Sequence, residues 1–327
     1  MAIVTLSNRT HFDCHPEQTI LEAARQQSIA LEHSCRTGRC GVCKTLTVSG
    51  ETVAVKPETC LTSEQVAAGY ILTCCRTAKA DVQLDIEDLG EIGKLQAKTL
   101  PCRIDQLQLL TDDVIEVTLR TPPTSKLAYV SGQYVDMIGK DGLRRSYSIA
   151  NAPREDGKLT LQISKVPDGE MSHYWFCEAK VNDLLRLEGP LGTFSLRKTK
   201  AKQLILLATG TGIAPIKALL EQLTAAAQHA FNNIHLYWGG RVEQDIYWHP
   251  RFPALPLKFS PVLSRNPEWS GHKGYVQHAV LQDEPTLFDA VVYACGSEAM
   301  INSAHIDLTA AGLNSKNFYS DAFVSSN

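Results

Sequence analysis

Cys35, Cys40 and Cys43 share one short stretch in the spacing Cys-x4-Cys-x2-Cys, and Cys74 follows 31 positions after Cys43 at the end of Ile71-Leu72-Thr73-Cys74. Such a set demands a tight loop that gathers three thiols and a separate strand that returns a fourth to it. Six of the ten cysteines lie between Cys35 and Cys75, whereas Cys102, Cys177 and Cys295 are scattered. In a reducing compartment that crowding favours a metal site over disulfides. Three thiolates on a loop and one from a strand can surround two irons, and Gly38 and Gly41 let backbone N–H groups approach the sulfurs, which stabilises the more negative, reduced state. A four-thiolate zinc site would want two separated Cys-x2-Cys knuckles, while the second pair here is adjacent. Cys75 stands as a one-residue alternative to Cys74. Cys14, Cys60, Cys102 and Cys177 are expected to be small packing residues.

Around the cysteines the chain divides into stretches of different pattern. Residues 1–90 alternate at Ile3 to Leu6 and again at Asp81 to Ile86, with two helix starts, Thr19-Ile20-Leu21-Glu22 and Thr62-Ser63-Glu64-Gln65, that can form reciprocal capping boxes. This predicts a compact α+β unit. Residues 91–100 read as a linker ending at Pro101. Residues 101–198 read as short strands, with Ile115, Val117 and Leu119 on one face and turns at Pro122-Pro123, Asp141-Gly142, Asp156-Gly157 and Asp168-Gly169, which predicts an antiparallel barrel or sandwich. Residues 199–327 change again: the apolar run Leu204 to Ala208 leads through glycines into a helical pattern from Pro215 to about His229. Buried-type strands follow at Ile234 to Trp238, Phe259 to Leu263 and Ala290 to Ala294. An alternating α/β domain on a parallel sheet is expected.

The 32 basic and 35 acidic side chains are balanced, which leaves no electrostatic footprint for nucleic acid. No run of about 18 apolar residues is present to span a bilayer, no basic, apolar leader opens the chain, and a cytoplasmic protein with no membrane insertion is expected. No Ser-His-Asp set, carboxylate pair or metal-like histidine spacing stands out.

The cysteine spacing is that of plant-type 2Fe-2S ferredoxins, and that register after the Leu-Thr pair favours Cys74 as fourth ligand. Arg145-Ser146-Tyr147-Ser148 has the form Arg-x-Tyr-Ser and, with the motifs that follow, resembles the ferredoxin-NADP reductase superfamily. The resemblance implies a β-grasp ferredoxin domain, an FAD-binding β-barrel and a Rossmann-like nicotinamide domain. It implies that Arg145 pairs with flavin pyrophosphate, that Tyr147 packs on the isoalloxazine and that Ser148 reaches N5. Gly169-Glu170-Met171-Ser172 is similar to the family's Gly-x-x-Ser, where N–H groups at a helix start meet FAD phosphates. Gly210-Thr211-Gly212, after a buried strand and before a helix, suits a dinucleotide pyrophosphate, although Pro215 replaces the last glycine of the dehydrogenase fingerprint. Cys295-Gly296, in a Cys-Gly-Ser variant of Cys-Gly-Pro, is implied to lie beside the nicotinamide; taken alone, Cys295 reads equally as a buried thiol. Phe323 is the implied stacking ring of a tail that covers the flavin.

Ser148, Cys295 and Phe323 are therefore the expected catalytic positions. NADH is the expected donor, because Asn266 to Gly271 looks like the NADH-using branch, with NADPH kept open by Ser264-Arg265. Strings in all three domains, among them Leu72-Thr73-Cys74-Cys75, Pro101-Cys102-Arg103 and Ser320-Asp321-Ala322-Phe323-Val324, are most similar to the reductases that serve CDP-6-deoxy-4-hexulose-3-dehydrase in dideoxysugar synthesis. The implied function is electron transfer from NADH through FAD and a 2Fe-2S cluster to a redox partner protein, the pyridoxamine-dependent sugar dehydrase. The other readings are the reductase component of a bacterial mono- or dioxygenase and a non-catalytic redox-sensing module.

Overall fold

Helix starts and strand alternation become defined elements in a computed structural model, which describes residues 1–139, 142–226, 229–284 and 286–323. Asp141 of one expected turn, and Val324, lie outside the described residues. The chain separates into two units, Met1–Ala97 with Pro190–Thr193, and Lys98–Gly189 with Phe194–Asn327.

The first unit holds β1 (Ala2–Leu6), β2 (His11–Cys14), α1 (Ile20–Gln26), β3 (Lys44–Ser49), β4 (Thr52–Ala54), α2 (Ser63–Ala67), β5 (Tyr70–Leu72), β6 (Arg76–Ala78) and β7 (Val82–Leu84). Its main sheet runs β2-β1-β7-β3-β5 with β1 and β7 parallel, which is the β-grasp arrangement. Both capping boxes form: Thr19 Oγ1 accepts from Glu22 N at 3.2 Å while Glu22 Oε2 accepts from Thr19 N at 2.9 Å, and Thr62 and Gln65 repeat the exchange. Each cap is worth about 1 kcal/mol to a short helix. The apolar face of α1, Ile20, Leu21, Ala23 and Ala24, is buried in the core with Val4, Leu6 and Leu84.

The second unit opens with a barrel of β8 (Lys98–Thr111), β9 (Val114–Arg120), β10 (Tyr134–Ile138), β11 (Arg144–Ser148) and β12 (Leu159–Ser164), then α3 (Glu170–His173) and β13 (Leu184–Leu191), in the order β11-β10-β13-β8-β9-β12. An antiparallel bridge between Ile149 and Leu161 joins the two edges. Strand β8 begins at Lys98, inside the stretch expected to be a linker, because Lys98, Thr99 and Leu100 pair with Gly189, Glu188 and Leu187. The alternation that marks a strand is weak there, and pairing with β13 rather than local pattern fixes it.

The remainder is β14 (Gln203–Thr209), α4 (Ile213–Ala225), β15 (Asn233–Gly240), β16 (Leu257–Leu263), β17 (His272–Lys273), α5 (Val276–Asp283), β18 (Ala290–Ser297), α6 (Glu298–Ala310) and β19 (Phe318–Phe323). The sheet is parallel, in the order β17-β16-β15-β14-β18-β19. Successive strands run outward from β14 to one side, and the chain then crosses to β18 on the other. The carboxyl ends of β14 and β18 therefore flank a topological switch point, where open α/β sheets bind ligands.

Candidate redox site

The loop from Cys35 to Cys43 gathers its sulfurs in pairs. Cys43 Sγ lies 3.2 Å from Cys74 Sγ, delivered from the end of β5. Cys35 and Cys40 form the other pair through a thiol hydrogen bond, and Cys35 also accepts from the N–H groups of Thr37 and Cys40, each at 3.4 Å. The Cys40 hydrogen bond, with those of the backbone, holds the Cys35 thiol down at about 4. The N–H groups of Val42 and Gly38 reach Cys40 and Cys74. Two thiolates on one tetrahedral metal stand about 3.8 Å apart for metal–sulfur bonds of about 2.3 Å. Two close pairs ringed by N–H donors thus fit two irons with two thiolates each, better than one ion. Gly38 has φ of +79°, and a Cβ there would meet Pro57 O at 2.2 Å and Cys75 Sγ at 2.7 Å, so only glycine suits the position. Cys75 donates to Pro57 O at 3.4 Å and lies 3.6 Å from Cys74 Sγ, outside the two pairs. His33, buried before the loop, is pushed down to about 4 by that burial and is neutral; Thr193 Oγ1 accepts from its N–H at 2.9 Å.

On the barrel, β11 pairs with β10 so that Arg145 opposes Met137, Tyr147 opposes Val135 and Ser148 opposes Tyr134. Arg145 and Tyr147 are half-buried and Ser148 is buried. Tyr147 OH accepts from Trp175 Nε1 at 3.2 Å, and burial raises the phenol to about 12, so it is neutral at physiological pH. Gly169 is the N-cap of α3, Met171 is buried, and buried Ser172 Oγ accepts from Val166 N at 2.7 Å, which fixes the turn before the helix. The helical path continues as a π-type turn over Tyr174–Glu178. Trp175 takes its core position, and Cys177, two residues on, is exposed rather than packed. Cys14 and Cys102 are buried as expected, and Cys60 is half-buried.

At the switch point, Gly210-Thr211-Gly212 forms a 3-10 turn between β14 and α4. Gly210 has φ of +53° and open space where a Cβ would project. A Cβ on Gly212 would stand 2.2 Å from Cys295 O, so the loop lies directly on β18. Gly296, with φ of +149°, would put a Cβ 2.1 Å from Thr209 Oγ1, which in turn accepts from Ser297 N at 3.3 Å. These residues fit a dinucleotide: Gly210 is exposed with open space beside it, and the turn leads into the N-terminus of a 13-residue helix. Cys295 is wholly buried and its thiol is held protonated by that burial. Phe323 pairs with Ser297 at the end of β19 and is partly exposed.

Sequence reasoning passed over the residues that tie the barrel to this loop. Trp238 Nε1 donates to Gly210 O at 3.0 Å, the Tyr247 ring meets Trp238 edge-on at 4.9 Å, and Tyr247 OH donates to Gln162 Oε1 at 3.2 Å. Gln162 Nε2 then donates to Glu116 at 3.0 Å, which faces Lys217 of α4. Ser164 and Thr211 hydroxyls meet at 3.2 Å. Trp238 and Glu116 stood in recognised strands and Thr211 in the glycine motif, but the contacts themselves are tertiary.

Three family models match: the 2Fe-2S iron-sulfur cluster binding domain over residues 4–79, the oxidoreductase FAD-binding domain over 101–196 and the oxidoreductase NAD-binding domain over 206–305. The fold and these family matches define an NADH-dependent iron–sulfur flavoprotein oxidoreductase, an electron-transfer reductase that uses 2Fe-2S and FAD. The chain is 42% identical to the CDP-6-deoxy-L-threo-D-glycero-4-hexulose-3-dehydrase reductase of Yersinia pestis over 94% of both chains, and 32% identical to reductase component 1 of terephthalate 1,2-dioxygenase from Comamonas sp over 96% of this chain and 95% of that one. The solved cytochrome P450 reductase GcoB of Amycolatopsis superposes with a TM-score of 0.78 at 27% identity, with both chains fully covered. The chain belongs to the family of the CDP-6-deoxy-4-hexulose-3-dehydrase reductases.

Proposed function

We propose that this reductase serves a pyridoxamine-dependent dehydrase that acts on a CDP-4-keto-6-deoxy sugar, supplying single electrons for 3-deoxygenation without touching the sugar. The observation that carries this reading is the 42% identity to such a reductase through nearly the whole chain, against 32% to an oxygenase reductase. Residues 1–90 would hold the cluster on Cys35, Cys40, Cys43 and Cys74, residues 101–198 the flavin and residues 199–327 the nicotinamide.

When bound, the nicotinamide supplies hydride, the flavin divides the electron pair, and the cluster hands on single electrons. The protein's part is alignment and electrostatics. Arg145 would neutralise flavin pyrophosphate together with the N–H groups that open α3. Tyr147, held by Trp175, offers a fixed neutral ring, and Ser148 a hydroxyl beside it. Gly210, Thr211 and Gly212 would receive the nucleotide pyrophosphate, and Gly296 leaves room next to it. Cys295, buried and protonated, would act as a neutral wall of the nicotinamide pocket rather than as a base. Phe323 would cover the flavin face as its stacking ring. NADPH would be the weaker donor, since the Ser264 hydroxyl already donates to Gly240 O at 3.2 Å.

The test is anaerobic reconstitution with NADH, the purified dehydrase and its CDP-4-keto-6-deoxyglucose substrate. A 3,6-dideoxy sugar formed at a rate set by this chain supports the reading. Fast NADH oxidation by ferricyanide with no sugar product would redirect it to an oxygenase component.

A further inference from the structure

A cleft of about 310 Å³ opens beside the candidate cluster, lined by Thr19, Leu21, Glu22, Arg25, Cys35, Arg36, Thr37, Lys56 and Cys74, all from the first unit. Two of the four thiols, Cys35 and Cys74, reach its wall. Cys43 and Cys74 are only 3% and 2% exposed, while Cys35, on the cleft wall, is half-buried. Electron transfer needs close approach, so the surface at this opening governs which molecules can be reduced.

That surface is positive in a setting that is not. Residues 1–97 carry nine basic and twelve acidic side chains, yet the stretch His33 to Lys44 has Arg36, Arg39 and Lys44 and no carboxylate. The cleft adds Arg25 and Lys56, against the single carboxylate Glu22, which Lys56 pairs at 3.1 Å. Glu22 is also engaged by its capping box with Thr19, so its position is fixed by α1 rather than by a ligand.

We propose that this cleft is the port through which electrons leave the chain, and that its occupant is an acidic, carboxylate-bearing surface of the acceptor protein. The inference rests on the electron-transfer reading above but not on the dehydrase as partner. Each encounter moves one electron and no proton to the acceptor; one hydride taken from NADH covers two encounters and leaves NAD+ and one proton. Opposite charge would raise the encounter rate and favour the acceptor over basic proteins, with an effect that fades as salt shortens the Debye length.

The experiment uses the full chain loaded with cluster and flavin and two protein probes, acidic flavodoxin and basic cytochrome c. Binding of oxidised flavodoxin to the oxidised chain is measured by calorimetry, and one-electron reduction of both probes by stopped flow, across ionic strength. Flavodoxin should bind and be reduced faster at low salt, with both effects falling as salt rises, and cytochrome c should show the opposite slope. The Arg25→Glu/Lys56→Glu pair, distant in sequence from the thiols, should weaken flavodoxin binding about ten-fold at low salt and speed cytochrome c. Arg36→Glu is the second variant, with cluster loading of each read from its electron paramagnetic resonance signal. Salt slopes of the same sign for both probes, or flavodoxin binding unchanged in both loaded variants, would overturn the proposal. Because the binding arm needs no turnover, loss of NADH-driven reduction with binding intact would count against the electron-transfer reading alone.

Discussion

Cys74 Sγ lies 3.2 Å from Cys43 Sγ, while Cys75 Sγ, 3.6 Å from Cys74 Sγ, stands one step further back and donates to Pro57 O. Cys74→Ser should therefore abolish the paramagnetic signal of the reduced cluster, and Cys75→Ser should keep it. The reverse pattern would make Cys75 the fourth ligand. At this scale the sequence was most legible where chemistry imposes spacing. Three thiols on a tight loop cannot be arranged many ways, and Gly38 and Gly41 are required by the same N–H donors that the loop turns inward. Cys177 was misread for the opposite reason: nothing local distinguishes a cysteine facing the core from one two residues round a helix. The role of Tyr247 could not be read at all, because its partner Gln162 lies 85 positions away.

Between elements, the chain from Gln162 through Tyr247 and Trp238 to Gly210 O fixes the nucleotide loop relative to the barrel. Losing the Tyr247 hydroxyl removes a hydrogen bond of about 1 kcal/mol, so Tyr247→Phe should weaken NAD+ binding roughly five-fold in a fluorescence titration while FAD affinity holds. An unchanged NAD+ affinity would mean the link is only structural. A second prediction belongs to β15, β16 and α5. His235 is buried, with Nδ1 2.8 Å from Glu284 and Nε2 2.8 Å from Ser260, and with Asp283, Lys258, His272 and Tyr237 around it. Burial lowers its pKa from 6.5. Below pH 6.5 the unfolded chain takes up a proton that the folded one still refuses, so stability falls as pH drops from there towards the folded pKa. Hydrogen-exchange protection factors at β15 and α5, corrected for the intrinsic rate, should fall over that window, and His235→Gln should flatten the dependence. Strands β14 and β18 announced themselves as apolar runs because both faces are covered; β8 did not, since its first residues are defined only by pairing with β13.

For the molecule as a whole, the two carriers together should take up about three electrons per chain from dithionite, two on the flavin and one on the cluster. Cys40→Ser should lower this to about two and stop cytochrome c reduction, while NADH still bleaches the flavin. Full cytochrome activity in that variant would mean that electrons leave from the flavin. Shifts in pattern along the chain showed that its stretches differ in architecture, whereas no local signal marked where strands such as β8 and β13 would meet. Among the described residues no helix is long and apolar enough to cross a membrane.

The 3.2 Å between Cys43 and Cys74 also bears on how the protein must be made. A loop that folds with its thiols already paired is ready for iron, but it is equally ready for oxygen. Without metal, thiols this close can also join in a disulfide, lighter by two hydrogens, that would shut iron out. Maturation in air therefore becomes a race between iron delivery and oxidation, and purified apoprotein needs thiol reductant before it is loaded.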